Sequence, residues 1–197
     1  MLLPLAWLVR VNDSLEHRQW LMYMARELLS YQDETGALRE QIGEIGMGAT
    51  RPPQSNAEFP RSEAPLIQNN GEPTADLLYT CNFALVGLTE AAAATADQSL
   101  IQAGKKLADF LVRIQMRSTS HPEFDGAWYR AFNFNLWEPW ASNADYEWGP
   151  WCTETGWIQG WITATLALRH MHTCLWDLSA DISIDRHFSH YSSIMLD

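Results

Sequence analysis

The chain has 197 residues, a formal net charge of −11, and a composition that is 47% hydrophobic and 19% charged. That is enough chain for one globular domain with a sizeable core. The acidic surplus repels phosphate backbones and no basic block offers itself to anionic lipid, so neither nucleic acid nor a membrane is an expected partner.

The first stretch, Met1 to Arg10, is apolar but short, with no basic leader and no small-residue cleavage site. It reads as the end of a helix, about residues 2–10, whose start is missing, and not as a signal peptide. On that reading the chain is cytoplasmic by default, and a longer parent protein could be periplasmic or secreted. No stretch approaches the length of a transmembrane span. A second helix is expected over 14–31, where Trp20, Leu21, Met24, Ala25, Leu28 and Leu29 fall on one face. Asn12, Asp13 or Ser14 can cap it. A third is expected over 74–94, led by Pro73, with Leu78, Cys81, Leu85, Leu88 and Ala92 as its buried stripe. Asp76 then reads as a first-turn helix acid. The fourth, over 98–117, is capped by Asp97 and carries Leu100, Gly104, Leu107, Leu111 and Ile114 on one face. The fifth spans about 154–176, with Trp157, Trp161, Thr165 and Leu168 expected in the core. Ile182 to Leu196 offers a sixth.

Connections alternate in length. Val11-Asn12-Asp13, Thr95-Ala96-Asp97 and Ser179-Ala180-Asp181 are tight turns, and their aspartates are evenly spaced along the chain. Between them lie two long excursions, about 32–73 and 118–153. Short links make antiparallel helical hairpins, and the alternation sends both long loops to one end of the bundle. Each loop opens alike: Tyr31-Gln32 precedes Gly36-Ala37-Leu38-Arg39-Glu40, and Ile114-Gln115 precedes Gly126-Ala127-Trp128-Tyr129-Arg130. A period this long suggests a repeated hairpin unit.

That rhythm, together with Leu28-Leu29-Ser30-Tyr31-Gln32, the Gly-Ala loop starts and Glu154-Thr155-Gly156-Trp157 opening a helix, resembles the six-hairpin glycosidase superfamily. Its (α/α)6 toroid also carries sugar epimerases and polysaccharide lyases. The resemblance covers nearly the whole chain. It implies an all-α fold, a single α/α-toroid domain or fragment over 1–197, of antiparallel hairpins with the long loops on one face. A full toroid needs twelve helices and this chain offers five or six. The resemblance therefore implies half a ring, completed by a homo-oligomer or by a missing toroid half.

Seven of the ten tryptophans fall between Trp128 and Trp161. Trp128, Trp140, Trp148 and Trp151 lie in the second loop with Trp137, where indoles could stack on the apolar faces of pyranose rings or pack on one another as a lid. Glu123, Asp125, Glu138, Asp145, Glu147 and Glu154 accompany them. Glycoside hydrolysis needs two carboxylates. Asp145, among Asn143, Trp148 and Trp151, and Glu154, opening a helix behind Gly149-Pro150, are the candidate catalytic pair. The bland alternative for each is a solvated acid or a helix-start charge. Arg130 could grip a uronic-acid carboxylate or simply form a surface pair with an aspartate. In the first loop Ile42-Gly43-Glu44-Ile45-Gly46-Met47-Gly48 lacks the Lys-Ser/Thr of a phosphate cradle. Glu44, Asn56, Glu63 and Gln68 remain as sugar contacts.

Neither metal nor cofactor is expected. Cys81, Cys152 and Cys174 are odd in number, show no CxxC spacing and read as small buried hydrophobes. His170 and His172 face apart on a helix, and His187 with His190 lies in the tail. No nucleophile elbow supports serine catalysis. Three functions stay open: a glycoside hydrolase acting on an oligosaccharide or polysaccharide, an epimerase or lyase using a base such as His121 or Tyr129, and a non-catalytic glycan-binding or assembly module.

Overall fold

The computed structural model describes residues 1–41, 66–67, 69–140, 153, 156–182, 188 and 191–192. Six α-helices and one small sheet appear among them. Helix α1 (Leu2–Val11) stops where Asn12 turns to an extended backbone. Helix α2 (Leu15–Leu29) starts at once, with the Ser14 hydroxyl accepting from the His17 N–H at 3.1 Å. Helix α3 (Thr80–Thr95) ends at Ala96, which takes the left-handed conformation. Asp97 then caps α4 (Gln98–Arg113) by accepting from the Ser99 and Leu100 N–H groups. Helix α5 (Trp157–His170) is followed after a short link by the five-residue α6 (Leu175–Ser179), which ends at the expected third turn, Ser179-Ala180-Asp181.

Helix α3 is the centre of the core. Its buried residues run almost all round it, from Cys81 and Asn82 to Glu90 and Ala91, because α1, α4 and α5 all pack on it. Helix α1 meets it through Leu2, Ala6 and Val9, one face at helical spacing. The approach is close at Gly87, where an added Cβ would lie 2.8 Å from the Leu2 Cβ. Helix α4 brings Leu100, Ala103, Leu107, Phe110 and Leu111. Buried Glu90 ties α1, α3 and α6 together: it accepts from the Trp7 indole at 2.8 Å and from the Leu175 and Trp176 N–H groups that open α6.

The sheet comes from both long loops. Strand β1 (Thr74–Asp76) pairs antiparallel with β2 (Ala131–Asn133), and β2 with β3 (Glu138–Trp140). Ala75 lies opposite Phe132, and Phe132 opposite Pro139. The two excursions therefore meet at one end of the bundle.

The expected helix over 74–94 needs correcting at its start. Residues 74–76 are a strand, and the Asp76 carboxylate takes the Leu78 and Tyr79 N–H groups, a local turn that competes with helix. Asp76 is thus a buried strand residue, not a first-turn helix acid. Helix α4 ends at Arg113 rather than 117. The expected helix over 154–176 is interrupted: His172 turns left-handed at φ 54°, with Thr173 N–H bonding the Leu168 carbonyl and His172 N–H that of Arg169. That is a Schellman stop. The buried face of α5 is Ile158, Ile162, Thr165 and Leu168, so Trp157 and Trp161 lie outside the core in which they were expected. Among the described residues no helix is long and apolar enough to cross a membrane.

Candidate functional site

The repeated loop opening is a repeated hydrogen-bond device. After α2 the Gln32 side-chain amide donates to the Gly36 carbonyl at 3.3 Å and to that of Ala103 at 3.0 Å. After α4 the Gln115 amide donates to the Gly126 carbonyl at 2.7 Å. Asp33 N–H bonds the Ala37 carbonyl, and Met116 N–H bonds that of Ala127. Both glycines carry positive φ, +96° at Gly36 and +85° at Gly126. The turn drives Leu38 in one copy and Trp128 in the other into the core. Two residues further on, Glu40 and Arg130 occupy the same register.

Strand β1 and the residue after it lie between those two positions. Glu40 N–H bonds the Thr74 carbonyl, and Leu77 N–H bonds that of Arg130. Asp76 is buried, and its Oδ1 accepts from Arg130 Nη1 at 2.5 Å as well as from Leu78 N–H at 2.7 Å and Tyr79 N–H at 3.2 Å. Arg130 also lies over the Tyr79 ring, 5.9 Å from its centroid. Glu40 Oε2 accepts from the Thr80 hydroxyl at 2.7 Å. Thr74 Oγ1, Gln41 Nε2 and Asn82 Oδ1 are buried around this corner without a hydrogen-bond partner among the described residues.

The electrostatics of the corner raise both carboxyls above their ordinary range. Burial pushes the Glu40 carboxyl above its usual range; the Thr80 hydrogen bond opposes this, the Asp76 charge adds to it and the Arg130 charge subtracts. Burial pushes Asp76 upward too, against the pull of Arg130 and of the backbone N–H groups of Tyr79 and Leu78. Of the two, Asp76 is the one locked to a guanidinium. Among the described residues Glu40 is bound by a hydroxyl and a backbone group, and so is the better placed to give and take a proton.

Of the candidate acids Asp145 and Glu154 and the candidate sugar contacts Trp128, Arg130, Trp140, Trp148, Trp151, Glu44, Glu63 and Gln68, three are described. Arg130 sits in the corner, paired with Asp76 in the interior rather than on the surface as expected. Trp140 ends β3, half-buried, its indole N–H donating to the Leu66 carbonyl at 3.1 Å. Trp128 corrects the expectation of a stacking face. It is 3% exposed, with its indole N–H on the Leu111 carbonyl and its backbone bridged by Gln159, so no sugar ring can reach it there. Asp145, Glu154, Trp148, Trp151, Glu44, Glu63 and Gln68 lie outside the described residues. The sequence reading passed over Glu40 and Asp76. The shared register of Gly36–Glu40 and Gly126–Arg130 was the signal for Glu40, and Asp76, read as a helix-start acid, had none.

Two further cavities border the loops. One of about 560 Å³ opens beside the end of α2, between Gln32, Asp33, Arg39 and Gln41. Another, of about 290 Å³, gathers His121, Tyr129, Arg117 and Phe124. Among the described residues no group of three His, Cys, Asp or Glu could hold a metal ion. No family model, no curated protein and no solved structure matches this chain.

Proposed function

We propose that this chain is a carbohydrate-active protein of the glycoside-hydrolase type, built on part of an α/α toroid. The observation that supports it is the corner where Glu40, Asp76 and Arg130 converge at the loop end of two consecutive hairpins. On this reading α1, α3 and α5 form an inner row and α2, α4 and α6 an outer one, and a second copy or another chain completes the ring. Glu40 is the proton donor to the leaving oxygen. Asp76 fixes Arg130, whose charge orients the substrate. Asp145 or Glu154 supplies the second carboxylate that such chemistry requires.

The test is release of reducing ends from a panel of oligosaccharides and uronate-containing polysaccharides. Glu40→Gln should cut turnover by at least about a hundredfold, on the scale of a lost general acid. Calorimetric titration should show binding retained. Unchanged turnover in that variant would remove Glu40 from the mechanism. A second reading, proton abstraction by an epimerase or lyase, is favoured by one observation: His121 and Tyr129 line a single cavity. Solvent deuterium appearing in recovered sugar, lost in His121→Ala, would select it.

A further inference from the structure

Four aromatic rings form a connected patch on α3 and α5 and just ahead of α3. Tyr79, Phe83, Trp157 and Trp161 are 46%, 48%, 55% and 39% exposed. Tyr79 stacks on Phe83 with centroids 6.4 Å apart, meets Trp157 edge-on at 5.9 Å, and Phe83 meets Trp161 at 6.3 Å. The exposed large apolar side chains of α3 and α5 are all aromatic. Gly160 lies between the two indoles, and no atom stands within 4 Å of where its Cβ would be. The patch is therefore flat and open beside the α5 backbone. Leaving so much ring surface in water is unfavourable, and a contiguous patch of this kind marks a binding face.

The patch runs into the polar corner. Tyr79 carries Arg130 over its ring. Tyr79 and Phe83 also wall a cavity of about 280 Å³ with Leu28, Thr80 and Ala84, and the Thr80 hydroxyl is the group that donates to Glu40. A ligand spanning both zones must offer apolar faces to the rings and hydrogen-bonding edges to Thr80, Glu40 and Arg130. A pyranose ring has both.

We propose that Tyr79, Phe83, Trp157 and Trp161 form the platform along which a saccharide chain lies, with one end delivered to Glu40 and Arg130. This rests on the carbohydrate reading and adds where the chain is held and that several sugar units are held at once.

The test is calorimetric titration of the parent chain, Trp161→Ala, Phe83→Ala and Glu40→Gln against cello-oligosaccharides and oligogalacturonides from one unit to six. Circular dichroism confirms that each variant folds, and Trp161→Phe keeps a ring as a control. The parent should bind longer chains more tightly. Each alanine variant should lose about tenfold in affinity for the six-unit chain, equivalent to ~1.4 kcal/mol, and nothing for the single sugar, while Trp161→Phe should lose less than Trp161→Ala. Alanine variants that bind the long chain as well as the parent overturn the platform, as does a parent that binds none of these sugars. So does a dimer that falls apart in the variants with sugar affinity unchanged. The two proposals fail separately: platform effects with turnover independent of Glu40 remove the acid assignment alone, and loss of turnover in Glu40→Gln without platform effects removes the platform alone.

Discussion

The loop entered at Gly36 and the loop entered at Gly126 share a backbone plan and end on side chains of opposite charge. In each, a glutamine side chain holds a glycine carbonyl, the glycine takes positive φ, and the second residue after it plugs the core. Then one copy presents Glu40 and the other Arg130, on either side of the chain around Asp76. The scaffold is repeated because the same helical hairpin must be left in the same direction each time. The chemistry diverges because the fourth residue after the glycine no longer serves the turn. A repeat of backbone thus places two side chains of opposite charge at one register, Arg130 bound to Asp76 and Glu40 to the Thr80 hydroxyl.

The largest effect should come from breaking the charged end of the second copy. Arg130→Leu would leave the buried Asp76 carboxylate, among the described residues, with backbone donors alone. Stranding a buried charge costs about 3–5 kcal/mol, whereas removing both partners is far less damaging. Denaturant unfolding should therefore show Arg130→Leu well below the parent, and Asp76→Leu with Arg130→Leu recovering much of the loss. Equal stability of the single and double variants would mean that the pair is not what holds β1.

Next come the glycines, which should respond unequally although their backbones match. A Cβ at Gly36 would lie 2.1 Å from the Lys106 carbonyl oxygen, while one at Gly126 would find its nearest neighbour, Gln115 Nε2, at 4.0 Å. Gly126→Ala then meets only the positive-φ penalty, ~1–2 kcal/mol. Gly36→Ala adds a backbone clash worth ~1–3 kcal/mol more. Thermal or chemical melts of the two variants give the difference directly, and equal losses would show that the first loop yields without strain.

The glutamines give a smaller contrast. Gln32 spans to α4 through Ala103 as well as holding its own glycine, and Gln115 holds only Gly126 among the bonds described. Each bond lost is worth about 0.5–1.5 kcal/mol. Gln32→Ala should cost more than Gln115→Ala, and hydrogen exchange at the Gly36 and Gly126 turns would locate the loosening.

Much of the helical plan was legible because capping and periodicity are local. Asp97 caps where its spacing said, Ser14 is the one of the three candidates Asn12, Asp13 and Ser14 that caps α2, and the face of α4 is the one its leucines marked. The start of the third helix was not legible. Thr74-Ala75-Asp76 is a strand because Asn133, Phe132 and Ala131 pair with it across a gap of more than fifty residues, and no local pattern carries that partner. The tryptophans misled in both directions. Trp128 is buried because a hairpin turn repeats an inward position that Leu38 fills in the other copy, and Trp157 with Trp161 is exposed because Ile158 and Ile162 take the core. Helical spacing alone could not rank two overlapping apolar faces of α5.

The smallest effect, and the one that tests the first copy's acid, is a dependence on pH. Burial raises the Glu40 carboxyl above its ordinary value, so the folded chain holds this proton more tightly than the unfolded one does. Stability from this group is then fully present below the ordinary glutamate range and is lost as pH rises through the raised folded value. Glu40→Gln keeps the shape, cannot ionise, and should make the protein slightly more stable than the parent at neutral pH, by less than ~1 kcal/mol because solvent screens a partly exposed carboxylate. At pH values below the glutamate range the two should converge. Removing the neighbouring positive charge should push the Glu40 carboxyl further up, so Arg130→Leu should widen the gap between Glu40 and its Gln variant rather than close it. A gap that instead opened on acidification would mean that Glu40 is held ionised in the fold, an acceptor rather than the proton donor proposed for it.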